Sequence, residues 1–186
     1  MTTKQALLLA AAMIPLAGCG PLAALHPLYE DSNLVSSDPR FEGTWRMADD
    51  DAGCTLSFSF VRENSHRMTC TSNGQPTKSG IHLLQLGGYR FLDFSAEDTG
   101  DFQIPVHVFA KVVAVSADEI QFSVFGTDWL EDQIQTFGFT PFAIAGRSES
   151  DVVLTGSTQE LQPFVLSYAA DPRAFEKEPT VLRKVQ

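Results

Sequence analysis

Apolar and polar residues alternate along much of the chain, most clearly in residues 54–60, where every second side chain is apolar and the others are threonine or serine. A period of two is typical of a strand with one buried face. The pair Gly87-Gly88 and the triplet Ser116-Ala117-Asp118 predict tight turns between neighbouring strands. Further strands are predicted over residues 43–47, 68–70, 81–86, 89–94, 106–115, 119–125, 142–147 and 152–155. This series predicts an antiparallel meander that closes into a barrel or packs as a sandwich.

Two segments change from strand spacing to helical spacing. The first is predicted over residues 128–137, where Asp128 and Glu131 have the spacing of a capping box. The second begins at the corresponding pair Ser157 and Glu160, and its apolar stripe consists of Leu161, Phe164, Val165 and Tyr168. The predicted fold class is therefore mainly β, with two short helices.

Residues 1–18 have the order of a secretory signal peptide: Lys4, a short apolar run, then Ala17-Gly18. The apolar run is shorter than the roughly 20 residues needed to span a bilayer. Leu16-Ala17-Gly18-Cys19 resembles the lipobox of bacterial lipoproteins. The resemblance implies cleavage between Gly18 and Cys19, a lipid anchor on Cys19, and a place in the bacterial cell envelope. Gly20 follows the cysteine, which by the same resemblance favours the outer membrane, facing the periplasm.

The remaining chain divides into three parts. Residues 19–42 are predicted to be a lipidated tether, because they are rich in proline and polar residues; fully extended, such a segment reaches about 75 Å. Within it, the apolar cluster Leu25-His26-Pro27-Leu28-Tyr29 is expected to dock on the domain. Residues 43–170 are predicted to form a single β-rich domain, and residues 171–186 are predicted to be a loose polar tail.

The net charge of −10 excludes some partners. Nucleic acids and anionic headgroups bind through lysine and arginine, and no basic stripe offsets the acidic excess. The 44% apolar content argues against global disorder, and 14 phenylalanines predict an aromatic core or cavity. The membrane is expected as a partner only through the lipid on Cys19.

Cys54 and Cys70 remain once Cys19 is assigned to the lipid. A hairpin turning at residues 63–65 leaves Cys54 opposite residue 74, about 13 Å along the strand from Cys70. A disulfide needs Cα atoms within roughly 7 Å, so we expect buried thiols. Only a much longer turn would bring the two cysteines together.

No set of residues has the spacing of a catalytic or metal site. His66, His82 and His107 are scattered and are expected to be hydrogen-bonded core or rim histidines. The carboxylates Asp93, Glu97, Asp98 and Asp101 surround a predicted loop, which indicates a solvated connection. We therefore expect no enzyme, no metal and no cofactor.

Two families are similar to this chain. Gly43-Thr44-Trp45 resembles the G-x-W of lipocalins, eight-stranded barrels that hold small apolar ligands. That resemblance implies a structural Trp45, with Arg147 as a possible cover. A group of uncharacterised bacterial lipoproteins shares an ordered series of motifs with most of the mature chain. These motifs are Cys19, LHPLY at 25–29, GTW at 43–45, FLD at 91–93, IPVH at 104–107, DWL at 128–130 and STQEL at 157–161.

Two function classes follow from these patterns. The first is non-catalytic binding of a small apolar or lipid-like ligand in the barrel, with Phe58, Phe60, Met68 and Tyr89 as candidate lining residues. The alternative is a protein–protein adaptor or structural subunit at the outer membrane, with Trp129 and Leu130 as a candidate contact patch. An open cavity favours the first class, and a filled interior favours the second.

Overall fold

The computed structural model describes residues 22–35, 38–48, 54–62, 64–72, 75–97, 106–126, 142–144, 152–175 and 178–185. The strands are β1 (Ala23–Ala24), β2 (Gly43–Met47), β3 (Thr55–Arg62), β4 (Ser65–Ser72), β5 (Gln75–Leu86), β6 (Tyr89–Ala96), β7 (His107–Val115), β8 (Glu119–Val124), β9 (Phe142–Ile144), β10 (Val152–Leu154) and β11 (Thr180–Lys184). One α-helix within these ranges, α1, spans Thr158–Tyr168. Short 3-10 turns lie at Asp31–Asn33, Pro39–Phe41 and Pro172–Ala174.

Eight antiparallel strands form a closed ring. Strands β2 to β8 pair in sequence order, and β11 completes the ring between β8 and β2. The fold is therefore a closed eight-stranded antiparallel barrel, consistent with the lipocalin-like architecture, and the predicted barrel is confirmed over a sandwich. At the start of β7, β1 continues the sheet outward to β10 and β9.

Alternation along the strands gives the barrel wall two apolar faces. One face fills the barrel and forms the inner core; its strand members include Trp45, Leu56, Phe58, Met68, Ile81, Leu83, Leu92, Phe94, Ile120, Phe122 and Leu182. The other face, on β5, β6 and β7, carries Leu84, Phe91 and Phe109 into a second, outer core. The wall is therefore buried on both sides over these three strands.

Helix α1 covers the outer core. Ser157 and Glu160 form a capping box at its start, as the sequence predicts, and Leu161, Phe164 and Val165 are buried. The helix continues through Pro163, and Phe164 packs on Phe125 of the wall with ring centroids 5.9 Å apart. The other predicted helix, over residues 128–137, lies outside the described residues.

The N-terminal segment 22–35 (the strap) crosses the outer face of the barrel. Leu22, Ala24 and Leu28 are at most 1% exposed in the outer core, and the strap ends beside β5, where Leu34 bridges to Leu84. The expected docking of the Leu25–Tyr29 cluster is confirmed for Leu28 and Tyr29, which pack in and against the outer core, whereas Leu25 is exposed. The prediction of a tether over residues 19–42 is wrong for residues 22–35, because Leu22, Ala24 and Leu28 are buried against the barrel.

The predicted polar tail also needs correction. Thr180–Lys184 is β11, which pairs with β2 and β8 on its two sides, and Leu182 is fully buried inside the barrel. The tail prediction over residues 171–186 is therefore wrong. The β-rich domain extends from the strap to β11.

Cys54 and Cys70 form a disulfide with Cα atoms 5.9 Å apart. The expectation of buried thiols is wrong because the hairpin register differs by two residues from the predicted one. Cys70 lies opposite Leu56, and an irregularity between Phe60 and Arg62 absorbs the difference at the turn. The bond ties the entry of β3 to β4.

Candidate functional site

One end of the barrel is closed by the residues that precede β2. The 3-10 turn Pro39–Phe41 inserts Phe41 into the inner core, and Nε1 of Trp45 donates to the Phe41 carbonyl at 3.0 Å. Nζ of Lys184 lies 5.2 Å from the centroid of the Trp45 ring. Trp45 is thus buried at the closed end of the barrel and bonded to the closing turn. Lys184 supplies the cationic cover within the described residues, which do not include Arg147.

A charged cluster fixes the closing turn. Asp38 accepts a hydrogen bond from the backbone N–H of Arg40 at 3.1 Å and pairs with the guanidinium groups of Arg40 and Arg90. The hydrogen bond from the Arg40 side chain is the main reason that the pKa of Asp38 falls to about 2, although burial opposes the change. Arg90 is the second residue of β6, so this cluster holds the turn to the barrel rim.

The inner core is filled by side chains. None of its buried members is more than 5% exposed, and Phe94 of β6 and Phe122 of β8 approach to 5.8 Å between ring centroids across β7. An eight-stranded barrel is just wide enough for side chains to fill it. The interior that the described residues form is therefore a packed core.

The structure separates the candidate lining residues. Phe58 and Met68 are 5% exposed neighbours across the β3–β4 pair in the inner core. Tyr89 is half-buried on the outer face, packed against the outer core. Phe60 lies in β3, but its side chain is outside the described residues. Phe58 and Met68 thus share one environment, and Tyr89 belongs to another.

His66 lies inside the barrel at 4% exposure. Burial lowers the pKa of His66 below its ordinary value, and the carboxylates of Glu42 and Asp38 oppose that shift. It is a buried histidine, as expected.

Asp93 is the most deeply buried charged group of the described residues, with no exposed surface. It lies on the outer face of β6, beneath the strap. Oδ2 accepts the backbone N–H of Leu28 at 2.7 Å, and Oδ1 lies 2.6 Å from Nδ1 of His107. An ionised carboxylate only accepts hydrogen bonds, so Nδ1 of His107 is the donor. Asp93 thus joins β6, β7 and the strap.

His82 on β5 and His107 on β7 lie on the two sides of Asp93. His82 lies opposite Asp93 on β5, and its ring stacks on Tyr29 of the strap with centroids 4.0 Å apart. Asp93, His82 and His107 therefore meet only through the fold. The sequence points to all three residues but groups Asp93 with the loop carboxylates. The sequence alone does not reveal that β5, β6 and β7 pair with one another, and this pairing brings the three side chains together.

The chemistry available at the Asp93 cluster is limited. Among the described residues, no serine, threonine or cysteine hydrogen-bonds to His107, and no three metal-binding side chains lie together. A hydrolytic triad needs a nucleophile beside the histidine. The observed contacts of the cluster hold the strap to the barrel.

Several predicted site residues lie outside the described residues: Gly18, Cys19, Trp129 and Leu130. Within the described ranges, no helix has the length and hydrophobicity to cross a membrane. Comparisons with protein-family models, curated proteins and solved structures found no match.

Proposed function

We propose that this chain is a lipoprotein of the bacterial cell envelope, anchored through Cys19 in the outer membrane and facing the periplasm. There it acts without catalysis, as an adaptor or structural subunit that binds another protein with its outer surface. The lipobox supports the anchor. The filled inner core supports the adaptor role, because it leaves the outer surface as the place for binding.

The anchor is tested with Cys19→Ser in the full chain. Wild-type protein is expected to float with membranes on a density gradient, and the variant is expected to remain in the soluble fraction, because one thiol carries the attachment. The matched control replaces Cys54 and Cys70 by serine and keeps Cys19, so it should still float. Flotation of the Cys19→Ser variant contradicts the anchor.

Binding of a small apolar ligand is the second candidate, and one observation favours it. Met47, Cys54 and Cys70 pack against the inner core but are only partly buried, at the barrel end opposite the closing turn. A ligand that enters this barrel meets these residues first.

Native mass spectrometry of the detergent-extracted protein separates the two candidates. The adaptor predicts that native and denatured masses agree once detergent is removed. A small molecule released only on denaturation supports the ligand-binding candidate and counts against the adaptor.

A further inference from the structure

We infer that the barrel rests directly on the membrane that holds Cys19, and that its partners are therefore components in or on that same membrane. This inference rests on the proposed lipid anchor and adds a distance to it. A flexible tether would let the domain search the periplasm. In the structure, the strap, which makes up most of the predicted tether, is docked on the barrel.

The strap is fixed to the barrel from its first described residue. Leu22 is 1% exposed in the outer core, and Ala23 and Ala24 hydrogen-bond with β7 on one side and β10 on the other. The Asp93 contact with the Leu28 N–H holds the strap further along. Free chain between anchor and domain can therefore lie only before Leu22.

The covalent distance from Cys19 to Leu22 is three residues. Fully extended, three residues span about 11 Å, against about 75 Å for the tether over residues 20–42. The headgroup layer of one leaflet is on the order of 6 Å thick. A chain anchored at Cys19 therefore brings Leu22 and the adjoining barrel wall to the headgroup surface.

The net charge of the protein indicates that attraction to the headgroups does not hold the domain at the membrane. A chain of net charge −10 is repelled by anionic headgroups, so the covalent link holds the domain there. A domain confined in this way stays beside the membrane that holds its anchor. Its accessible partners are proteins and lipids of its own leaflet.

Neutron reflectometry of the lipidated full chain on a supported bilayer tests the distance. Protein density is expected to begin within about 11 Å of the headgroups. A variant with 20 glycine and serine residues inserted between Gly20 and Pro21 should show a water-rich gap of roughly 25 Å. The same 20 residues appended after Gln186 are the control and should leave the wild-type profile unchanged.

The outcomes separate this inference from the proposed function. Wild-type protein retained on the bilayer, but separated from it as widely as the insertion variant, overturns the inference and leaves the anchor intact. Failure of the extracted protein to stay on the bilayer overturns the lipid anchor and this inference together. A contiguous wild-type profile that the insertion separates supports both.

Discussion

At the scale of single residues, two buried titratable side chains, Asp93 and His66, are expected to affect the stability of the barrel. Asp93 is a carboxylate without exposed surface that accepts from the strap and from β7. His66 is 4% exposed inside the barrel. Burial of an ionisable group costs free energy that specific partners must offset, so each residue has a measurable effect on stability.

Replacing Asp93 by alanine should lower the free energy of unfolding by about 3 kcal/mol. The substitution leaves the Leu28 N–H and Nδ1 of His107 without their buried acceptor. Urea denaturation followed by circular dichroism measures the change. Glu178→Ala, at an exposed position, is the control and should change stability by less than about 0.5 kcal/mol. Equal stability of both variants would show that Asp93 does not hold the strap.

Stability should fall as the pH decreases below about 6.5, with His66 as one cause. Burial lowers the pKa of folded His66, so the unfolded chain takes up a proton at higher pH than the folded chain does. The penalty is absent above the unfolded pKa and grows until the pH reaches the folded pKa. Urea titrations at about pH 7.5 and about pH 5.5 should show a smaller loss for His66→Gln than for the wild type. Identical losses would contradict this assignment.

At the scale of elements, the β5–β6 turn and helix α1 depend on each other. Gly87 and Gly88 both have positive φ, as the hairpin turn requires. A Cβ on Gly87 would clash with Cδ1 of Leu166 in α1, whereas a Cβ on Gly88 would meet no atom within 4 Å. The turn that reverses the chain is thus also part of the surface on which α1 docks.

Gly87→Ala should destabilise the protein by about 2–3 kcal/mol, of which about 1 kcal/mol is backbone strain and the rest is overpacking. In a Leu166→Ala background the clash is removed, so the same substitution should cost only about 1 kcal/mol. A double-mutant cycle of unfolding free energies measures the difference. Additive effects of the two substitutions would mean that the turn and α1 are not in contact.

The elements also show what the sequence can and cannot predict. The alternation in residues 54–60 and the Gly87-Gly88 turn predict strands correctly, because both signals are local. The predicted β3–β4 register differs from the observed register by two residues, because no residue in the sequence indicates the irregularity between Phe60 and Arg62. The sequence does not predict β11, because two of the five residues of Thr180–Lys184 are charged and the segment becomes a strand only between two partners.

At the scale of the whole molecule, the barrel wall is shared by two cores. The inner core and the outer core lie on opposite faces of β5, β6 and β7, and α1 and the strap complete the outer one. Damage to either core removes support from the same strands. The described domain should therefore unfold as one cooperative unit.

The substitution Phe164→Ala in the outer core tests whether the two cores unfold together. It should lower the free energy of unfolding by about 3–5 kcal/mol, because a buried aromatic ring is removed from its contact with Phe125. In a Trp129→Phe background, fluorescence reports on Trp45 in the inner core, while far-UV circular dichroism reports on the whole chain. The two transitions should coincide. A fluorescence transition left at the wild-type midpoint would show that the cores unfold separately.

The position of β11 in the ring has a kinetic consequence. β11 is the last strand in chain order, yet β2, the first strand of the ring, pairs with it. A chain that emerges from its N-terminus can form the hairpins from β2 to β8 early, but the ring stays open until β11 arrives. Contacts between such distant segments are slow to form because the closure entropy must be overcome first. Barrel closure is therefore expected only once the C-terminal segment that contains β11 is available to pair with β2 and β8.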